Sequence, residues 1–280
     1  MRTPANISTQ AATDAERALA EDIGDGDVSA ALIAPTTPAQ AQVITRTAGT
    51  FCGRPWVDAT VQQVEPTIEV EWLVEDGDQV EANQVLFRLK GPARSLLTAE
   101  RTMLNFVQLL SGTATRASHY VALIKGTNAT LLDTRKTVPG LRVAQKYAVT
   151  CGGGQNHRMG LYDAYLLKEN HIAAAGSITA AVKGSHNQRG DLSVEVEVET
   201  LAELEEAIAA GADIAMIDNF SLEDTKTAVA MAAGKIKLEA SGGIDEASIT
   251  EIAATGVDYI SIGDLTKTVI PMDLSMRFVE

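Results

Sequence analysis

The rhythm of hydrophobic and polar positions changes along the chain. Ala15, Ala18 and Leu19, followed by Asp22-Ile23, recur at helical spacing and are stopped by Gly24. Strand-like material follows in Ala41-Gln42-Val43-Ile44-Thr45 and in the run from Thr67 to Val74. The turn Glu75-Asp76-Gly77-Asp78 carries an Asp-Gly hairpin signal and leads into Gln84-Val85-Leu86-Phe87-Arg88-Leu89. These elements predict a small α/β domain with an antiparallel sheet. Biotinyl and lipoyl carrier domains use a similar hairpin, but they need a lysine at its tip, and residues 81–89 contain none. A helix is expected from about Ala99 to Leu110, with Met103, Leu104, Val107 and Leu110 on one side and Arg101, Asn105 and Gln108 on the other. Spacing alone reads Arg101 as part of a solvated face.

From about Ala129 short apolar strands alternate with helical stretches. The strands are 129–132, 164–167, 192–198, 214–217, 236–238 and 259–262, and the helix starting at Leu201 closes at Gly211. Such alternation predicts βα units and a parallel sheet, whose two-sided burial explains the apolar strands. The pattern fits an open doubly wound sheet or a partial (β/α) barrel. No Gly-x-Gly-x-x-Gly follows a strand, which argues against a dinucleotide fold.

Polar groups collect where the strands end: Asp133-Thr134-Arg135-Lys136-Thr137, Lys168-Glu169-Asn170-His171, Asp218-Asn219, Ser241-Gly242-Gly243 and Gly263-Asp264. In βα architectures these ends face one rim, where functional groups gather. The run Val194-Glu195-Val196-Glu197-Val198-Glu199 puts three carboxylates on one strand face. That face is either a wet edge or a buried interior, and in the interior the carboxylates need cations, a metal or hydrogen bonds. Glu197 and Asp218 on successive strands suit one Mg²⁺ completed by phosphate oxygens and water, or ribose hydroxyls. Ser241-Gly242-Gly243 is a phosphate-loop candidate, with an ordinary turn as the alternative. Cys151-Gly152-Gly153-Gly154-Gln155-Asn156-His157-Arg158 lacks both the Lys-Ser/Thr ending of a P-loop and the ligand spacing of a zinc site. His157 and Arg158 instead add an imidazole and a planar fork to Arg135 and Lys136, and guanidinium forks match carboxylates.

Charge sharpens this picture. The net charge is −14, which argues against nucleic acid as a partner, yet nine cations and only three anions lie between Arg101 and His171. That window is +6 and the remainder −20, a distribution that suits a small, highly anionic ligand or, on the bland view, a chance cluster on solvated helices. Apolar content of 45% is ample for a core, and no stretch is long enough to span a bilayer. With no secretory signal visible, Cys52 and Cys151 are expected as reduced thiols of a cytoplasmic protein.

The motifs taken together resemble the quinolinate phosphoribosyltransferase family over nearly the whole chain. They are Glu21-Asp22-Ile23-Gly24-Asp25-Gly26-Asp27, the 99–106 segment around Arg101, Thr134-Arg135-Lys136-Thr137-Val138-Pro139-Gly140-Leu141-Arg142, Asn156-His157-Arg158-Met159-Gly160-Leu161, Lys168-Glu169-Asn170-His171, the Glu195–Glu199 run, Asp218-Asn219-Phe220 and Ser241-Gly242-Gly243. Ser29 stands where threonine is common.

The resemblance implies an N-terminal α/β sandwich-like domain over 1–112. It implies an incomplete α/β barrel of about six to seven parallel strands over 113–266, and a C-terminal segment, 267–280, that returns to the N-terminal domain. The activity implied is phosphoribosyl transfer from phosphoribosyl pyrophosphate to quinolinate with decarboxylation, by a cytoplasmic homodimer or higher homo-oligomer using Mg²⁺. Arg135, His157, Arg158 and Lys168 would surround quinolinate, with Arg101 reaching in from a neighbouring subunit and His171 in support. Lys136 would lie between the two substrates. Glu197 and Asp218 would hold the ribose hydroxyls and the metal. Ser241, Gly242, Gly243 and Gly263 would receive the 5′-phosphate. The competing readings are a paralogue that uses nicotinate or serves molybdenum metabolism, and a catalytically silent barrel.

Overall fold

Ala11, Ala15 and Leu19 lie buried along one side of α1 (Ile7–Ile23), which ends at Gly24 with φ 51°, a conformation that favours glycine. In this computed structural model, residues 6–279 are described, and they divide into two units. One takes the residues up to 118 with 137–153 and those from 265 on; the other takes 119–136 and 154–264.

In the first unit, β1 (Pro38–Thr45), β2 (Gly49–Thr50), α2 (Arg54–Val64), β3 (Glu69–Trp72), β4 (Gln79–Val80) and β5 (Val85–Pro92) follow α1. The last strand of the chain, β12 (Leu274–Val279), completes a four-stranded antiparallel sheet in the order β12-β1-β5-β3. Val43, Phe51, Val57, Leu86, Phe87 and Leu89 pack in its core with Leu96, Met103 and Val107 of the next helix.

The Asp-Gly turn does not make the hairpin expected of it. β4 after the turn pairs with β2, and β3 pairs with β5 instead. The Asp76 carboxylate is engaged elsewhere. Its Oδ1 accepts the backbone N–H groups of Gly53 (2.8 Å) and Arg54 (3.2 Å) at the start of α2, and its Oδ2 accepts the Tyr147 hydroxyl at 2.7 Å. The expected helix is also longer than 99–110. It runs as α3 (Ala93–Leu123), because the smaller buried residues Ala114 and Ala117 extend its packed face. Ser111 and Gly112, just past the expected end, serve close packing. Ser111 Oγ both accepts from Cys52 N (2.9 Å) and donates to Cys52 O (3.1 Å), and a Cβ at Gly112 would fall 2.3 Å from Ile270 O.

The second unit contains β6 (Thr130–Leu132) and then, after α4 (Arg142–Cys151) of the first unit, five further strands. These are β7 (Tyr165–Leu167), β8 (Val194–Val198), β9 (Ile214–Asp218), β10 (Lys237–Ser241) and β11 (Tyr259–Ser261). Between them run α5 (Glu169–Ala175), α6 (Ile178–Arg189), α7 (Leu201–Ala210), α8 (Leu222–Ala232) and α9 (Ile249–Ala254), and α10 (Asp264–Lys267) follows β11. The spatial order is β6-β11-β10-β9-β8-β7, all parallel. From β7 to β11 each strand lies beside its successor, and β6 then pairs with β11. A doubly wound sheet would reverse direction midway. This order is that of a barrel open between β6 and β7, where one bridge joins Leu132 and Gln155. Val194, Val196 and Val198 are fully buried, and Glu195 between them is 3% exposed, so β8 has an interior face and no wet edge.

Candidate active site

The carboxyl ends of the strands of the second unit enclose a cavity of about 480 Å³. β6 is followed by Asp133, which is fully buried, and its Oδ1 accepts His157 N at 2.9 Å. The chain then presents Thr134, Arg135 and Lys136 to the cavity, with Lys136 N donating to Thr134 Oγ1 at 3.1 Å. His157 and Arg158 enter on the segment before β7. Arg158 N donates to His157 Nδ1 at 2.8 Å, and an Arg158 guanidinium N–H reaches Ala164 O at 3.3 Å. That segment is compacted by Asp163, whose two carboxylate oxygens accept Met159 N (2.8 Å) and Gly160 N (3.0 Å).

A further cation, Lys168, follows β7, and opposite charge meets these cations at the ends of β8 and β9. The Lys168 ammonium pairs with the Glu197 carboxylate. Asp218 accepts from the Asn219 side-chain amide at 2.9 Å. Burial, and next the nearby Glu197 charge, push the Asp218 carboxyl above its ordinary range. On the cationic side, burial and then the Arg135 charge push Arg158 below its ordinary range. Two guanidinium groups that close, facing two carboxylates across one cavity, make a site divided by charge. The cationic half suits a dianion, and the anionic half suits a hard cation or hydroxyl groups.

Eight of the residues singled out in the sequence line this one cavity: Arg135, Lys136, His157, Arg158, Lys168, Glu197, Asp218 and Ser241. Two of the glycines sit in close quarters, and at Gly242 no other residue serves. Gly242 has φ 93°, and a Cβ there would fall 2.3 Å from Asn219 Oδ1 and 2.8 Å from its backbone N. A Cβ at Gly263 would fall 2.9 Å from Lys136 Cδ. Gly243 follows with φ 60°. These three do not line the cavity, though Gly242 directly follows Ser241, which does. His171 is exposed at the start of α5, where its Nδ1 accepts Lys168 N at 3.0 Å. It holds the backbone of a cavity lysine rather than lining the cavity. Arg101 is an exposed residue of α3 in the first unit.

Sequence reasoning passed over Glu239, which lines the cavity and is fully buried. With Glu195 it flanks His157: the Nε2 atom lies 2.8 Å from Glu195 Oε2 and 3.5 Å from Glu239 Oε2. Burial raises both carboxyls, Glu195 to about 7 and Glu239 to about 8. Glu239 lies in Lys237-Leu238-Glu239-Ala240, a strand paired on both sides, and a single acid there gave the sequence no local signal.

Comparison with known proteins adds the family. Residues 27–111 match the model of the quinolinate phosphoribosyl transferase N-terminal domain, and residues 113–277 match that of its C-terminal domain. The carboxylating nicotinate-nucleotide pyrophosphorylase of Mycobacterium leprae is 39% identical over 270 residues, covering 93% of this chain and 94% of that protein. The chloroplastic protein of the same name from Arabidopsis thaliana is 37% identical, covering 93% of this chain and 80% of its own length. The solved nicotinate-nucleotide pyrophosphorylase of Francisella tularensis superposes with a TM-score of 0.96 at 49% identity, covering 100% of this chain and 99% of its own. On two matched domain models, relatives aligned almost end to end and an incomplete six-stranded barrel, the chain belongs to the quinolinate phosphoribosyl transferase family.

Proposed function

We propose that the chain transfers the phosphoribosyl group of phosphoribosyl pyrophosphate to quinolinate with loss of carbon dioxide, giving nicotinate mononucleotide and pyrophosphate for NAD biosynthesis. The observation that carries this reading is the charge-divided cavity: four cations, Arg135, Lys136, Arg158 and Lys168, face Glu197 and Asp218 within one barrel mouth. The similarity to carboxylating nicotinate-nucleotide pyrophosphorylases supports it. The guanidinium forks of Arg135 and Arg158, with Lys168 and with the His157 ring lining the same cavity, hold the two carboxylates of quinolinate and direct its ring nitrogen at the anomeric carbon. Lys136 lies between the acceptor and the phosphoribosyl donor. Ser241 and the glycine turns at Gly242, Gly243 and Gly263 take the 5′-phosphate. Glu197 and Asp218 stabilise the positive charge that grows on the ribose as pyrophosphate departs. The new bond makes the ring nitrogen cationic, and it then accepts the electrons left by the departing carboxylate.

Glu197 and Asp218 would also hold Mg²⁺. Two oxygen donors on adjacent strands, close enough for one to raise the pKa of the other, are the sparse carboxylate set that this ion completes with substrate phosphates and water. When bound, it would neutralise the leaving pyrophosphate. The protein acts as a homodimer or higher homo-oligomer in which Arg101 of the partner subunit completes the quinolinate pocket, and His171 supports Lys168. A cytoplasmic setting accords with the thiols of Cys52 and Cys151, and among the described residues no helix is long and apolar enough to cross a membrane.

The test is a turnover assay of the purified protein with quinolinate, phosphoribosyl pyrophosphate and Mg²⁺, following carbon dioxide and mononucleotide together. Coupled release with quinolinate, absent with nicotinate, is the expected result. Turnover with nicotinate alone would remove the dicarboxylate clamp, and a folded protein inactive with both would favour the silent barrel.

A further inference from the structure

Glu195 and Glu239 have no part in the reaction just described, yet each occupies an interior position of a strand that ordinarily carries an apolar side chain. Their side chains are 4% and 0% exposed, and their carboxylate oxygens lie with His157 Nε2 in one group whose atoms all fall within 4.8 Å of one another. Burying two carboxyl groups side by side is unfavourable and calls for a compensating role.

The hydrogen bonds around His157 supply that role. Its backbone N–H is taken by Asp133 and its Nδ1 accepts the N–H of Arg158, so the ring hydrogen sits on Nε2, an atom in 2.8 Å contact with Glu195 Oε2. Both ring nitrogens are therefore turned to the protein: the ring ties the peptide group of Arg158 to the barrel interior, while Asp133 ties that of His157. Arg158 projects into the cavity from this tied segment, and the charges of Arg158 and Lys168 act on the Glu195 carboxyl. Glu239 Oε2 lies 3.5 Å from the same Nε2.

We propose that Glu195 and Glu239 are positioning residues that act through His157 to fix the backbone carrying Arg158, and so set one arm of the cationic clamp for the pyridine dicarboxylate. This rests on the clamp assigned to Arg135 and Arg158 above. It makes His157 the link between a buried carboxyl pair and the clamp, a function distinct from contacting substrate through its nitrogens.

Glu195→Leu and Glu239→Leu remove the carboxyl groups with little change in volume, and Glu195→Gln keeps an acceptor for Nε2–H. Of the Leu variants, Glu239→Leu should keep its Tm, since an apolar side chain suits the buried site. Glu195→Leu leaves Nε2–H without its nearest acceptor and should melt lower, with Glu195→Gln recovering the difference. KM for quinolinate should rise at least about tenfold in both Leu variants, because a displaced clamp loses aim. KM for phosphoribosyl pyrophosphate should stay unchanged, and Glu195→Gln should restore most of the loss. Equal rises in both KM values, or none, would overturn the proposal. An independent readout is imidazole ¹⁵N NMR of the ligand-free protein, with the His157 signal assigned from His157→Asn. A shifted Nε2 resonance in Glu195→Leu supports the anchor, and an unaltered His157 spectrum overturns it, whether or not the unsubstituted protein turns over quinolinate. Failure of the unsubstituted protein to act on quinolinate, with the Nε2 shift intact, would instead count against the assigned reaction.

Discussion

Arg135 and Arg158 hold like charges close together in a half-buried cavity, an arrangement that an anion relieves. Removing one arm should therefore harm function and spare the fold. Arg135→Ala should lower kcat/KM with quinolinate on the order of 100-fold, the loss expected for a bidentate charge-assisted contact. Its Tm should match that of the unsubstituted protein, and normal kcat/KM would remove Arg135 from its assigned role. Glu239 gives the opposite kind of prediction, about stability. Its carboxyl rises from an ordinary 4.5 to about 8, so between these values the folded chain holds a proton that the unfolded chain has lost. Stability from this source is full below about pH 4.5 and is lost as pH rises through about 8. Chemical denaturation across this range should show a shallower decline for Glu239→Gln than for the unsubstituted protein; identical slopes would mean that Glu239 does not titrate there. The strand-end residues Arg135, Lys168 and Asp218 were legible because rims of βα folds collect function. Glu239 was not, since a lone acid in an apolar strand has no local signature and its meaning depends on the strand two places away.

At the scale of elements, α7 shows how local rules carry a site. Thr200 Oγ1 accepts Glu203 N at 3.2 Å, while Glu203 Oε2 accepts Glu199 N (2.7 Å) and Thr200 N (3.2 Å). This capping box starts the helix directly after β8, whose end bears Glu197. Thr200→Ala should cost about 1 kcal/mol of unfolding free energy, measured by denaturant titration. Because Glu203 still holds Glu199 N and Thr200 N, kcat/KM should change little. Such starts and stops, with Gly24 and Gly211, could be read directly from the sequence. The second half of α3 could not: its buried face there is made of Ala114, Ala117 and Tyr120, and alanines do not register as a hydrophobic stripe. The Asp-Gly turn misled for a related reason. Its aspartate caps α2 from more than twenty residues away, as the Gly53–Asp76 bond shows, and no local pattern announces a distant partner.

At the scale of the whole molecule, charge distribution matters more than its sum. A net charge of −14 would repel both anionic substrates, yet the cavity presents Arg135, Lys136, Arg158 and Lys168. If the local field governs capture, KM for phosphoribosyl pyrophosphate should rise as salt is added; if the net charge governed it, KM would fall. Steady-state kinetics at several ionic strengths decides between them. The choice between an open sheet and a barrel was likewise beyond the sequence, because the six strands read alike and only the pairing of β6 with β11 distinguishes the two. The other long-range pairing, of β12 with β1, bears on how the protein is made. Thr45 finds its partner Leu274 only after the whole barrel has been synthesised, roughly 10–50 s later at ordinary elongation rates. During that interval β1 is an unpaired sheet edge, open to any strand that reaches it. The nascent chain is therefore vulnerable early, although its β1 is well covered once finished, and ribosome-bound intermediates will need protection for the span of the barrel's synthesis.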